Sequence, residues 1–128
     1  MFSHVMIGAN DLDKAKRFYD AILGTLGVPS GVFNARGVLV YSHAGGRFLI
    51  TKPINGQAAS AANGGTLGFS ALSPAQVDSW FKAGLANGGT ECEEPPGIRE
   101  APENRVVYAA LLRDPSGNKL CSVHTISG

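Results

Sequence analysis

The alternation of apolar and polar positions predicts a strand followed by an amphipathic helix at the start of the chain. Phe2 to Ala9 is mainly apolar, with a polar interruption at His4, and predicts a strand. The apolar positions that follow recur at helical spacing and form one stripe, made of Leu12, Ala15, Phe18, Tyr19, Ile22, Leu23 and Leu26. Asn10 or Asp11 suits the N-cap of this helix, and Gly27 suits the position that ends it.

Short apolar runs and turn residues then predict three strands and a linker. The strands are predicted at Val32–Phe33, Val38–Ser42 and Phe48–Thr51, and residues rich in Gly, Asn and Ala separate them. Residues 53–64 are rich in Ala, Gly, Ser and Asn and show no hydrophobic period, so they predict a linker.

The second half of the chain repeats this order of elements. Thr66 to Ala71 predicts a strand, and Ser73 followed by Pro74 suits the start of a helix. The apolar stripe of that helix is Val77, Trp80, Phe81 and Leu85. Three prolines and four acidic residues between Glu93 and Asn104 predict a loop. The remaining strands are predicted at Val106–Leu112 and Leu120–Ile126, on either side of a β-turn at Asp114–Gly117.

Self-similarity is the strongest feature of this pattern. A shift of 62 residues (from 4 to 66) places His4–Ala9 over Thr66–Ala71 and Phe18–Tyr19 over Trp80–Phe81. A shift of 72 residues (from 45 to 117) places Gly45–Ile50 over Gly117–Ser122. The chain therefore predicts two copies of a βαβββ unit.

Each predicted unit contains one helix, which cannot cover both faces of its own sheet. We therefore expect an α+β fold in which the two sheets join and leave a concave face between them. The expected organisation is a single domain over residues 1–128. Module 1 is expected at about 1–52, the linker at 53–64 and module 2 at about 65–128.

Composition and charge exclude several classes of partner. The 128 residues include 11 basic and 10 acidic ones, and this net charge of +1 offers no basic excess to neutralise a nucleic acid backbone. No apolar run approaches the roughly 18 residues of a membrane helix, so we expect no membrane partner. Two cysteines make no disulfide framework, and the N-terminus shows no basic segment before an apolar one. Both features indicate a cytoplasmic protein.

Two motifs resemble those of the vicinal oxygen chelate superfamily, which includes glyoxalase I, extradiol dioxygenases and bleomycin-resistance proteins. Asn10–Tyr19 directly follows the first strand, and Arg113–Leu120 contains the D-P-x-G-N turn. The resemblance covers essentially the whole chain. It implies paired βαβββ modules that form a curled, cleft-bearing mixed sheet, and it also implies a homodimer.

The resemblance further implies where a divalent metal would bind. Enzymes of the superfamily usually take their ligands from the first and last strands of each module, and the matching positions are His4, Leu49, Thr66 and Cys121. Only His4 and Cys121 are plausible ligands, whereas a metal normally needs three or four donors. We therefore expect no metal and no other cofactor. The alternative is a zinc site completed by His43 or His124, although strand alternation predicts that His124 points away from the cleft.

His4 and Cys121 are the candidate catalytic residues, because the corresponding positions of the superfamily point into the cleft. His4 interrupts an apolar strand, where an unpaired polar group is costly, so it serves either a ligand or a structural hydrogen bond. The candidate ligand-binding residues are Tyr41, Tyr108, Thr66 and Leu49. Core packing is the alternative for both tyrosines and for Cys121. Alternation sends Met6 and Val123 to the same face as His4 and Cys121, which predicts a mainly apolar pocket.

Two functions are consistent with these residues. The first is an enzyme, a lyase, isomerase or dioxygenase, that acts on a small oxygen-rich substrate in the cleft. Without a metal, His4 would act alone as the acid–base catalyst. The second is a metal-independent module that binds a small molecule or drug in the same cleft, and the missing ligands favour it chemically. The metal content of the purified protein would discriminate between the two.

Overall fold

The structure, a computed structural model, describes residues 1–128 and consists of two consecutive modules. Module 1 contains β1 (Val5–Gly8), α1 (Leu12–Gly24), β2 (Val32–Phe33), β3 (Leu39–His43) and β4 (Gly46–Thr51). Module 2 contains β5 (Leu67–Ser70), α2 (Pro74–Ala86), β6 (Thr90–Glu91), β7 (Gly97–Ala101), β8 (Arg105–Arg113) and β9 (Lys119–Ser127). The connection between β4 and β5 carries no helix or strand.

Each module has one mixed sheet, and the two sheets share the same strand order. The order is β1-β4-β3-β2 in module 1 and β5-β9-β8-β6 in module 2, where β7 also pairs with β8. The first strand of each module runs parallel to the last, β1 to β4 and β5 to β9, and the other pairs are antiparallel. The predicted α+β fold, built from two βαβββ units, is confirmed, with one additional strand in module 2.

That additional strand lies inside the segment predicted to be a loop, so this prediction is wrong. β7 forms an antiparallel hairpin with β8, in which Ile98 lies opposite Tyr108. The prolines of the segment lie before and after β7 rather than within it, so they remove no hydrogen bond from the ladder. A short edge strand bounded by prolines has the composition of a loop, which is why the pattern of residues did not reveal it.

Both helices begin at the predicted caps. Asp11 accepts a hydrogen bond from the N–H of Lys14 at 3.0 Å, and Ser73 accepts one from the N–H of Gln76 at 3.1 Å. α1 ends before the predicted Gly27, which lies in the following turn with a φ of 85°. Neither helix is long and apolar enough to cross a membrane.

The two modules share one hydrophobic core, on the side of each sheet that faces the helices. Phe18 of α1 and Trp80 of α2 are completely buried in this core. Aromatic contacts cross from one module to the other. The ring centroids of Tyr19 and Phe48 lie 5.1 Å apart, those of Phe48 and Phe69 lie 5.7 Å apart, and those of Phe69 and Trp80 lie 6.5 Å apart. Such ring pairs add about 0.5–1.5 kcal/mol each beyond the burial of their area.

A buried carboxylate fastens the turn between β8 and β9 to module 1. Asp114 is only 5% exposed and accepts a hydrogen bond from the hydroxyl of Tyr19 at 2.6 Å. The backbone N–H groups of Ser116 and Asn118 also donate to it, both at 2.9 Å. The side-chain amide of Asn118 donates to the same carboxylate and to the carbonyl of Gly8, again at 2.9 Å. Burial, together with the charge of Asp114, raises the pKa of Tyr19 well above its usual range, so the phenol keeps its proton.

Replacement of Tyr19 by Phe should lower the free energy of unfolding by about 1–3 kcal/mol, because the buried carboxylate of Asp114 loses a donor. The matched control is Tyr108→Phe, since Tyr108 donates to Asp78 at 2.7 Å in a partly exposed pair. We expect that control to change stability by no more than about 0.5 kcal/mol. Urea unfolding, followed by the fluorescence of the single tryptophan, measures both changes. Equal losses in the two variants would contradict the role assigned to Asp114.

Candidate functional site

Each sheet has one face toward the helices and one face away from them. In β4, Phe48 and Ile50 pack into the core, so Leu49 between them points to the opposite face. In β5, Leu67 and Phe69 pack against the core, so the residues that alternate with them point away. We refer to the surfaces that point away from the helices as the helix-free faces. They carry His4, Met6, Leu49, Thr66, Gly68, Cys121 and Val123.

His4 lies at the open end of the helix-free face of module 1. It stands directly before β1, which begins at Val5 and is shorter than predicted. The side chain is exposed, and its Nδ1 lies 2.8 Å from the hydroxyl of Ser3. The other ring nitrogen has no partner within the chain. In the adjoining ladder Met6 lies opposite Leu49, which is buried.

The corresponding pair of positions in module 2 is Thr66 and Cys121. Thr66 is exposed and Cys121 is half-buried. The ladder between β5 and β9 places Gly68 opposite Cys121, and a Cβ atom at residue 68 would lie 3.1 Å from the Cys121 sulfur. The structure thus places two of the four predicted positions on the helix-free face of each module, but the ladders set Leu49 opposite Met6 and Cys121 opposite Gly68, not opposite His4 and Thr66.

The donor set at these positions does not fit a divalent metal. Leu49 has no atom to donate, and the neutral hydroxyl of Thr66 is a weak ligand. No three His, Cys, Asp or Glu side chains of the chain lie close enough to hold an ion together. His124 lies on the core side of β9, where its Nδ1 is 3.2 Å from the carbonyl oxygen of Ala71. It points away from the helix-free face, as strand alternation predicts.

Cys121 is a thiol rather than a thiolate at neutral pH. Burial raises its pKa; the positive charge of Lys119 opposes this rise, and the negative charge of Glu93 adds to it. The thiolate is the form that coordinates metals and attacks electrophiles. The site therefore presents a small, soft, uncharged group at this position.

The two candidate tyrosines use their hydroxyls within the protein. Tyr41 is buried and donates to Asp20 at 2.7 Å, and Tyr108 donates to Asp78 at the same distance. Burial and the hydrogen bond to Asp20 raise the pKa of Tyr41 far above its usual range. The hydrogen bond to Asp78 likewise raises the pKa of Tyr108. Both side chains pack on the core side, so neither hydroxyl belongs to the helix-free faces.

Asp20 is the centre of a network that fixes the loop after α1 against β3. Besides the hydroxyl of Tyr41, its carboxylate accepts hydrogen bonds from the N–H of Gly31 at 2.9 Å and the hydroxyl of Ser30 at 2.8 Å. The ammonium of Lys16 donates to it at 2.6 Å. Burial raises the pKa of Asp20, but these hydrogen bonds outweigh burial and lower the pKa to about 2. Gly31 is required at its position, because a Cβ atom there would lie 2.6 Å from the ring of Tyr41.

A mainly apolar cavity of about 260 Å³ lies largely on the core side, where the edges of the two sheets approach each other. We refer to it as the junction cavity. No ladder connects β1 and β5, so a gap is left between the sheets. Of the predicted ligand-binding residues, only Tyr41 lines the junction cavity, and neither His4 nor Cys121 does. A second cavity, of about 190 Å³, includes Thr66 in its lining. The sequence pattern did not reveal the junction cavity, because its walls come from residues that are far apart in the chain.

The Asp20 network should make stability fall in acid. The pKa of Asp20 is about 2 in the folded protein, against 3.8 for an ordinary aspartate. A lowered folded-state pKa stabilises the protein above the unfolded value, and this contribution, about 2 kcal/mol, is lost as the pH falls through the folded value. We expect Asp20→Asn to be less stable at pH 7 and to lose less stability between about pH 4 and pH 2. Parallel pH curves for the two proteins, from denaturant unfolding, would rule this network out as a source of acid sensitivity.

The thiol of Cys121 should react slowly with iodoacetamide, because its raised pKa leaves little thiolate. The measurement uses Cys92→Ser, in which Cys121 is the only thiol. We expect alkylation near pH 7.5 to be clearly slower than that of free cysteine. The same protein unfolded in urea serves as the control and should react at the rate of free cysteine. Fast alkylation of the folded protein would show that the thiolate is populated.

Comparison with known proteins places this geometry in a family. The model of the Glyoxalase/Bleomycin resistance protein/Dioxygenase superfamily matches residues 1–121. A crystal structure of a glyoxalase/bleomycin resistance protein from Albidiferax ferrireducens T118 is 56% identical, with a TM-score of 0.92 over 97% of this chain and 98% of that one. No functionally curated protein matches the chain.

Two more distant structures are similar in fold alone. A glyoxalase-related enzyme from Fulvimarina pelagi is 18% identical, with a TM-score of 0.72 over 97% of this chain and 87% of that one. A lactoylglutathione lyase from Agrobacterium tumefaciens is 22% identical, with a TM-score of 0.65 over 97% and 92% of the two chains. Together with the match to the family model, the repeated modules and the shared strand order show that the chain belongs to the glyoxalase/bleomycin resistance protein/dioxygenase superfamily.

Proposed function

We propose that the protein is a small-molecule-binding member of the superfamily that uses no metal held by its own side chains. The observation that carries this proposal is the donor set on the helix-free faces. Of the four positions that correspond to superfamily ligands, only His4 and Cys121 have a donor atom of the usual kind, and the raised pKa of Cys121 keeps its thiol protonated.

The chemistry of the helix-free faces suits a compact organic molecule with one or two oxygen atoms. Met6 is 48% exposed and, with Leu49 beside it on the neighbouring strand, provides apolar contact. The free ring nitrogen of His4 and the exposed hydroxyl of Thr66 provide polar contacts. Apolar surface with a few convergent polar groups is the usual composition of a small-molecule site.

We expect the binding unit to be a homodimer, as the superfamily resemblance implies. In a single chain His4, Thr66 and Gly68 are all exposed, so a ligand on these faces would stay in contact with water. A second copy would exclude that water from the ligand. Because both cysteines are free thiols, we also propose that the protein works in the cytoplasm.

A second candidate function, an isomerase or a lyase, rests on His4 itself. Its imidazole is exposed and has a ring nitrogen without a partner, so it can accept or donate a proton at a bound substrate. Proton transfer next to a carbonyl is a step that one histidine can serve. This candidate differs from the first in requiring turnover and not only binding.

The two candidates separate in a binding experiment on protein treated with EDTA. Isothermal titration with catechol, and separately with bleomycin, tests a small oxygen-rich molecule and a drug. We expect one of the two to bind without added metal and His4→Ala to weaken that binding about tenfold, which corresponds to about 1.4 kcal/mol. Arg36→Ala is the control, because Arg36 is exposed, lies in the turn between β2 and β3 and lines neither the junction cavity nor the helix-free faces.

Several outcomes would contradict the proposal. Binding that appears only after zinc, nickel or iron is added would show that a metal completes the site. Unchanged affinity in His4→Ala would show that the ligand does not bind at the helix-free face of module 1. Absence of binding by both compounds at millimolar concentration would reject this ligand class. Exchange of the α-protons of a small ketone such as dihydroxyacetone for solvent deuterium, lost in His4→Ala, would favour the enzyme.

A further inference from the structure

We propose that the junction cavity is a second ligand site, which binds a small carboxylate with one aromatic or branched aliphatic tail. It lies mainly on the core side of the sheets, at the gap between β1 and β5, and neither His4 nor Cys121 lines it. It does not depend on the function proposed for those faces. Its walls, its mouth and its charge each restrict the ligand.

The walls are apolar and come from both modules. Leu23 and Val28 flank the end of α1, and Val5 and Leu67 lie on the facing edges of β1 and β5. Phe69 completes the wall on the side of module 2. An apolar cavity of about 150 Å³ holds benzene, so the 260 Å³ of the junction cavity hold one ring and a short chain.

The mouth of the cavity lies at the hairpin between β3 and β4. His43 and Gly46 are paired across this hairpin, and both belong to the core-facing side of their strands. Gly46 has no side chain, so the mouth stays open beside the imidazole of His43. The nearest atom to a Cβ built at Gly46 is the carbonyl oxygen of His43, 3.6 Å away. No other atom therefore occupies the space that a side chain at residue 46 would fill.

The charge at the mouth selects an anion. His43 and Arg47 border the cavity, and neither forms a hydrogen bond or an ion pair within the chain. No Asp or Glu lines the cavity. Tyr41 contributes only its ring, because its hydroxyl donates to Asp20 at 2.7 Å. A carboxylate at the mouth would therefore meet the unpaired imidazole of His43, with the exposed and unpaired Arg47 next to Gly46 as a second basic residue at the border of the cavity, while its tail enters an apolar interior.

A matched pair of compounds tests this assignment. 3-Phenylpropionate carries the carboxylate, and 3-phenylpropanol has the same tail without the charge. The single tryptophan, Trp80, reports binding by its fluorescence, since its ring centroid lies 6.5 Å from that of Phe69. We expect the acid to bind at least about tenfold more tightly than the alcohol, a difference typical of one charged contact. Isothermal titration confirms the affinities.

Variants at the mouth distinguish the contribution of its basic residues to binding from that of the open space at Gly46. The double variant His43→Gln with Arg47→Gln should bind both compounds equally, at the affinity of the alcohol. Its control is Arg17→Gln with Arg36→Gln, two exposed basic residues away from the cavity, which should bind like the parent protein. Gly46→Val should weaken both compounds, because a branched side chain would close the mouth. Ser127→Val, at the exposed end of β9 and away from the cavity, controls for the added bulk.

The proposal is overturned if the acid and the alcohol bind the parent protein equally, or if neither binds at millimolar concentration. It is also overturned if the control pair at residues 17 and 36 loses as much affinity as the pair at the mouth. In that case the carboxylate responds to the overall charge of the surface, and the junction cavity does not select it. Should Gly46→Val fail to fold, Val28→Phe fills the same cavity from the loop after α1 and should abolish binding of both compounds.

Discussion

The hydrogen bond from Tyr19 to Asp114 is the interaction on which the arrangement of the two modules depends. A buried carboxylate must be matched by donors, and here the donors come from α1 and from the turn that contains the carboxylate. The amide of Asn118 then extends the same network to the carbonyl of Gly8 in β1. The turn between β8 and β9 is thereby fixed against two elements of the other module, and the aromatic contacts between Phe48 and Phe69 follow from that position.

This arrangement explains why the helix-free faces tolerate unusual residues. The core that holds the protein together lies entirely on the other side of the sheets. Leu49 and Thr66 can replace metal ligands without loss of the fold, because strand alternation keeps their side chains out of that core. Substitutions that change the ligand chemistry of the helix-free faces therefore have little effect on the stability that the core provides. A superfamily built in this way can change its ligands while it keeps its strand order.

Most of the fold could be predicted from the sequence, because it depends on local signals that occur twice. The caps at Asp11 and Ser73, and the aromatic positions Phe18 and Trp80, were each visible in the pattern and occupy the expected places. β7 was not visible, since a short edge strand between prolines has no signal of its own.

The candidate site was only partly predictable. The repeat indicated which residues share the helix-free faces. It could not show that Asp20 and Asp78 accept hydrogen bonds from the hydroxyls of Tyr41 and Tyr108. These contacts and the junction cavity arise from tertiary packing, which brings together residues from distant parts of the chain.

The common core also determines how the protein unfolds. Phe48 and Phe69 belong to different modules and contact each other, so neither half can lose its packing without exposing the other. The protein should therefore unfold in one cooperative transition, despite its repeated architecture. The linker contributes no helix or strand, so a break within it would leave the two halves associated through noncovalent contacts alone.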